Sequence, residues 1–88
     1  KMKKTEGYII KKLEDEYVIL PFGEKAEEVN EVVSLSETAG FMYLHAEEAD
    51  SVDTLAELVS REYQVEKSVV YEDVESVVRT LREKGLLL

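Results

Sequence analysis

Cysteine and tryptophan are absent from this 88-residue chain, histidine and proline occur once each, and glycine occurs four times. Without cysteine there is no disulfide, no thiolate nucleophile, no zinc finger and no iron–sulfur ligation. The one histidine, His45, would have to serve any hydrolytic triad alone. Paired with Glu48 three residues on, it makes a poor metal site. The four glycines (Gly7, Gly23, Gly40, Gly85) are scattered and form no phosphate-binding loop. No apolar run approaches the ~20 residues needed to span a bilayer. The N-terminal Lys1-Met2-Lys3-Lys4 has no apolar stretch behind it, so it is no secretory signal. Lys1 ahead of Met2 reads as a cloning remnant, with Met2 the natural start and a cytoplasmic address expected. Basic charge is also scarce. Eleven Lys and Arg against twenty Asp and Glu leave a net charge of −9. Such a surface repels phosphate backbones, because nucleic-acid affinity rests on cations that neutralise phosphates. Five of the eleven basic residues lie in the first twelve positions, so the remainder is more acidic still. Acidity keeps a small protein soluble; its sharper implication is a body suited to a basic peptide or partner.

What is present describes one folded domain, residues 1–88. Hydrophobic content of 44% with 35% charged residues is ordinary for a globular chain. This length leaves no room for a second core. Tyr8-Ile9-Ile10-Lys11-Lys12-Leu13 and Tyr17-Val18-Ile19-Leu20, separated by Glu14-Asp15-Glu16, read as a β-hairpin. Pro21 cannot donate to a ladder and should end the second strand. Residues 24–31 read as a charged connector, too short and acidic for a helix. Val32-Val33-Ser34-Leu35 is a third, short strand. Ser36 caps a helix that starts at Glu37, on which Thr38, Met42, His45 and Ala49 share a stripe. Asp50 or Ser51 caps the second helix, whose core face is Val52, Leu55, Ala56, Val59 and Tyr63. The third helix begins near Ser68 or Val69 and ends at Gly85. Its core stripe reads Val70, Val74, Val77 and Leu81, with Tyr71 and Val78 as an apolar surplus on one flank. Asp73, Thr80 and Lys84 occupy the other. Residues 1–6 are expected to be flexible.

No catalytic constellation emerges. The carboxylates of the connector and of the second helix start (Glu47, Glu48, Asp50, Asp53) lack the alternate spacing and central glycine of a calcium loop. They read as a solvated face. His45 reads as a partly buried, hydrogen-bonded side chain. Of five tyrosines, Tyr43 and Tyr71 lie off their core stripes and are candidates for ligand contact.

The order of these landmarks resembles the family of pyrroloquinoline-quinone biosynthesis protein D (PqqD-like proteins). Members pass from strand to helix through a Leu-Asn-x-Thr-Ala segment, which here stands as Leu35-Ser36-Glu37-Thr38-Ala39. Met42-Tyr43 occupies the place of their Ile-Trp pair. Asp73-Val74, Val77, Leu81 and Gly85-Leu86-Leu87 follow the pattern of the last helix, with Val77 in an aromatic slot. Leu20-Pro21-Phe22-Gly23 and Asn30 resemble a Gram-positive subgroup, and the Cys-Asp-Gly element of the quinone branch is missing. The likeness spans residues 8–87. It implies an α+β fold similar to a winged helix-turn-helix, a three-stranded antiparallel sheet packed on three helices. It further implies a non-catalytic module, without cofactor or metal, that binds the leader of a ribosomally made precursor peptide as an added strand. Such a module presents the leader to a modifying enzyme, often of the radical S-adenosylmethionine class. Carried onto this chain, the peptide-binding residues would be Val32, Val33, Ser34 and Leu35 on the edge and Tyr71, Val74 and Val78 on the last helix. The expected state is a monomer or weak homodimer, bound to neither nucleic acid nor membrane. Two other readings stay open. One is an adaptor that dimerises through its edge strand. The other is a DNA-binding winged helix, disfavoured by Glu72, Asp73 and Glu75 near the start of the last helix.

Overall fold

The structure, a computed structural model, describes all 88 residues. Strands β1 (Tyr8–Leu13) and β2 (Glu16–Pro21) form the expected hairpin, turned by Glu14-Asp15 with Glu14 at φ 56°. A single helical turn, α1 (Glu24–Glu28), follows. Strand β3 (Val33–Ser36) then pairs antiparallel with β2, giving the sheet order β1-β2-β3. Helices α2 (Glu37–His45), α3 (Val52–Tyr63) and α4 (Lys67–Glu83) complete the chain, with a 3₁₀ turn at Ala46–Glu48 between the first two. This is the expected α+β architecture of a three-stranded antiparallel sheet followed by helices.

Local chemistry sets most element ends. Ser36 has extended dihedrals and its Oγ accepts from the Ala39 amide at 3.2 Å, so one residue closes β3 and caps α2. Ser51, not Asp50, caps α3 through the Thr54 amide, also at 3.2 Å. Helix α4 ends in a Schellman motif. The Leu86 amide donates to Leu81 O (2.8 Å) and the Gly85 amide to Arg82 O (3.0 Å). Gly85 supplies the left-handed φ of 76° that this motif requires, and the buried Leu81–Leu86 pair supplies its apolar contact.

The core lies between one face of the sheet and the helices: Ile19 and Val33 from the sheet, Met42 from α2, Leu55 and Val59 from α3, and Val74, Val78 and Leu81 from α4. Four features depart from the sequence expectations. The connector 24–31 carries α1, whose first turn holds Glu24 and Glu27 against the favourable end of its dipole and buries nothing. Strand β3 starts at Val33, so Val32 precedes it and is 52% exposed. Helix α2 has no single core stripe. Its buried residues are Ala39, Gly40, Met42 and Tyr43, because sheet, α3 and α4 cover it from several sides. Tyr43 is therefore a core residue, with the Lys4 ammonium 5.2 Å from its ring centroid. Finally, residues 2–5 are docked rather than free. Met2 is buried, its amide donating to Ala49 O at 3.0 Å. Lys4 bridges Leu87, and Leu88 and Thr5 amides donate to Lys3 O and Leu86 O.

Candidate peptide-binding edge

The chemistry of β3 follows from Pro21. In an antiparallel pair, opposite residues alternate between exchanging two backbone hydrogen bonds and exchanging none. Pro21 stands opposite Tyr8 and has no N–H, so that pair exchanges none. The neighbouring Phe22 amide donates to Gly7 O at 2.9 Å, which agrees. Hence Glu16, Val18 and Leu20 turn their backbone groups to β1, while Tyr17 and Ile19 turn theirs to β3. Their partners Leu35 and Val33 are thereby committed inward. Ser34 is left with its N–H and C=O pointing outward from the sheet. The same alternation explains the start of β3. Beyond Ile19 the next β2 residue to face β3 is Pro21, which has no donor to offer Glu31.

The two free edges of the sheet differ. The β1 edge carries Lys11 and Lys12, the kind of charge that discourages strand pairing. Strand β3, Val33-Ser34-Leu35-Ser36, has no charged side chain. It packs on β2 and α2, whereas α4 packs chiefly on α3, so β3 and α4 make little direct contact.

Which side of α4 lies toward β3 is marked by Lys84. Its Nζ lies 3.6 Å from Glu31 Oε2, just ahead of β3. At 3.6 residues per turn, Val77, Asp73 and Thr80 share the Lys84 flank, with Val69 and Val70 at its N-terminal end. Val70 and Val77 are half-buried, and Val69 is 67% exposed. The opposite flank belongs to α3. Lys67 Nζ donates to Asp53 Oδ1 at 2.7 Å, and that hydrogen bond holds the Lys67 pKa above its usual value, with Glu57 and Tyr71 close by. A hollow of about 490 Å³ on the α3 side is lined by Val52, Glu75, Val78, Arg79, Arg82 and Glu83.

The structure thus separates the seven expected contact residues. Val32, Val33, Ser34 and Leu35 lie at or beside the edge, and of the three within β3 only Ser34 turns both its backbone groups outward. Val74 and Val78 are fully buried in the core, and Tyr71 is half-buried on the α3 side. The apolar surplus of Tyr71 and Val78 is consumed by packing on α3, and so does not face β3. Of the residues on the Lys84 flank, Asp73 and Thr80 were legible as the opposite flank, and Val77 was read as part of the core stripe. His45 is half-buried with Nδ1 2.6 Å from Glu48 Oε2. No group of three His, Cys, Asp or Glu side chains is placed to hold a metal ion. No helix is long and apolar enough to cross a membrane.

The chain is a small α+β module, a three-stranded antiparallel sheet with one uncharged open edge followed by helices. A family model described as coenzyme PQQ synthesis protein D (PqqD) matches residues 16–87, from β2 through the Gly85-Leu86-Leu87 terminus. The chain belongs to that family. Its fold is similar to the solved structure of TbiB1 in complex with the TbiA(beta) leader peptide. The TM-score is 0.71 at 21% identity, over 97% of this chain and 93% of that one. No curated protein matches the sequence.

Proposed function

We propose that this chain is a non-catalytic module that binds the leader segment of a ribosomally made precursor peptide and presents it to a modifying enzyme. The observation that carries the reading is the outward-facing Ser34 backbone on an uncharged edge strand. Membership of the PqqD family, and likeness of fold to a protein solved with a leader peptide, support it. The leader adds as a fourth strand. Its backbone pairs with Ser34, which supplies affinity, and its side chains meet the α4 flank, which supplies selectivity. On that flank Val69 and Val77 offer apolar contact, and Asp73 offers a carboxylate to a basic residue of the peptide. The partner enzyme is of the radical S-adenosylmethionine class, and the module works in the cytoplasm. Its own contribution is to raise the local concentration of substrate at that enzyme.

Affinity capture from the native host, with mass spectrometry of peptides and proteins, tests this. The parent chain should recover a short ribosomal peptide that Ser34→Pro, folded by circular dichroism, does not. Recovery that is equal for both proteins would sink strand addition at this edge.

A further inference from the structure

The segment that leads into β3 is held by almost nothing. Pro21 has no N–H for Glu31, so the strand begins at Val33 and residues 30–32 stay off the ladder. No hydrogen bond, from backbone or side chain, ties Asn30, Glu31 or Val32 to the rest of the chain. All three are exposed. Their one polar tie is the ion pair of Glu31 with Lys84, Oε2 to Nζ at 3.6 Å. None of the other ion pairs, Lys1–Asp50, His45–Glu48 and Lys67–Asp53, reaches the sheet or the segment before β3. Lys84 is the fixed member of its pair. Its amide donates to Thr80 O at 3.0 Å. The two residues after it are held by Thr5, whose hydroxyl donates to Gly85 O (2.6 Å) and whose amide donates to Leu86 O (3.0 Å). The Lys84 side chain is 37% exposed and that of Glu31 61%.

We propose that Lys84 positions the docking strand. By holding Glu31 it keeps residues 30–32 in line with β3, so that Val32 joins Ser34 in offering backbone groups to the added peptide. The inference rests on strand addition at this edge. Backbone direction alternates along a strand, so the groups of Val32, two residues before Ser34, turn the same way once the strand continues through it. Ser34 alone supplies one N–H and one C=O; Val32 doubles the number of bonds that the added strand can make. A free segment must be ordered at the moment of binding, at a cost in conformational entropy. A tethered segment has given up part of that freedom beforehand. Lys84 is thus a positioning residue that acts through Glu31. An exposed pair adds little to the stability of the fold, so its effect shows in binding.

The test sets affinity beside stability. The probe is the precursor peptide recovered by capture from the host, made synthetically and titrated calorimetrically against the full chain. Glu31→Gln and Lys84→Gln should each weaken binding about two- to five-fold, the range of an exposed ion pair, with urea midpoints unchanged. The exchange Glu31→Lys/Lys84→Glu should restore the parent affinity, because the tie is remade with its charges reversed. NMR relaxation of the free chain should show residues 30–32 loosened in both single variants and held again in the exchanged one. Equal affinity of the parent and both single variants overturns the proposal. So does weakening by Lys84→Gln alone that the exchange fails to rescue, since Lys84 would then touch the peptide itself. Ser34→Pro separates the two levels. If it binds like the parent, strand addition fails and the role of Lys84 with it. If it loses the peptide while the Glu31 and Lys84 variants bind normally, the role of Lys84 alone falls.

Discussion

Proline at two adjacent positions of β3 should have opposite consequences. At Val33 it removes an amide committed to β2 and leaves the carbonyl of Ile19, a residue with no exposed surface, without its donor. Losing the bond costs about 1 kcal/mol, and stranding a buried carbonyl adds about 1–3. The pyrrolidine ring also intrudes on the ladder, so about 3 kcal/mol or more is expected in all. That is a large share of the 5–15 kcal/mol typical of a folded domain. At Ser34 the amide faces solvent, and proline is tolerated on an edge strand when its missing donor points outward. The residue before it, Val33, already has the extended conformation that a following proline favours. A change within about 1 kcal/mol is expected there. Urea unfolding followed by far-ultraviolet circular dichroism measures both. Val33→Pro should lower the midpoint severely or abolish the transition, and Ser34→Pro should nearly keep it. The reverse order would refute the strand alternation deduced from Pro21, and with it the assignment of Ser34 as the docking backbone.

Gly40 admits the Tyr17 ring against the backbone of α2. A Cβ at this position would collide with Tyr17 Cδ2, so Gly40→Ala must displace a ring anchored opposite Leu35. The urea midpoint should fall by an amount equivalent to about 1–3 kcal/mol, and the added substitution Tyr17→Leu should recover part of it. Gly85→Ala meets no atom within 4 Å, so its cost is conformational alone. About 1 kcal/mol is expected from the left-handed φ, and an unchanged midpoint would contradict the Schellman account. Alkaline pH should destabilise the fold. Burial, followed by nearby acidic groups, holds Tyr43 and Tyr63 above the usual 10.0. The unfolded chain therefore loses these protons first. Stability is intact below pH 10 and declines as pH rises through the native values. Urea midpoints between about pH 8 and 11 should show this decline, and Tyr43→Phe should flatten it.

The parts of the fold legible in the sequence are those set by near neighbours. Ser36 and Ser51 announce their caps because each side chain reaches an amide three residues on. Gly85 announces the end of α4 because only glycine takes φ 76° cheaply. The two strands of the hairpin show in runs of β-branched and aromatic residues. What distant packing decides was not legible. The rotation of α4 depends on α3, and nothing local tells that Tyr71 and Val78 turn toward Asp53 and Val52 rather than β3. Tyr43 looks like a surface residue on a helix wheel, yet α2 is enclosed on several sides. The docking of residues 2–5 rests on backbone bonds to residues 86–88 at the far end of the chain. One signal within reach was missed. Pro21 fixes which backbone groups of β2 face each neighbour, and the register of a short strand opposite it then marks Ser34 as the open position.

Amide exchange at Ser34, followed by NMR on the labelled chain with and without the precursor peptide recovered from its host, tests strand addition most directly. In the free protein the Ser34 amide should exchange quickly, while Val33 and Leu35 are protected by their bonds to β2. Adding the peptide should protect Ser34 and leave its two neighbours as they were. Peptide binding that protects the β1 edge at Tyr8, Ile10 and Lys12 instead, with Ser34 still open, would contradict the account.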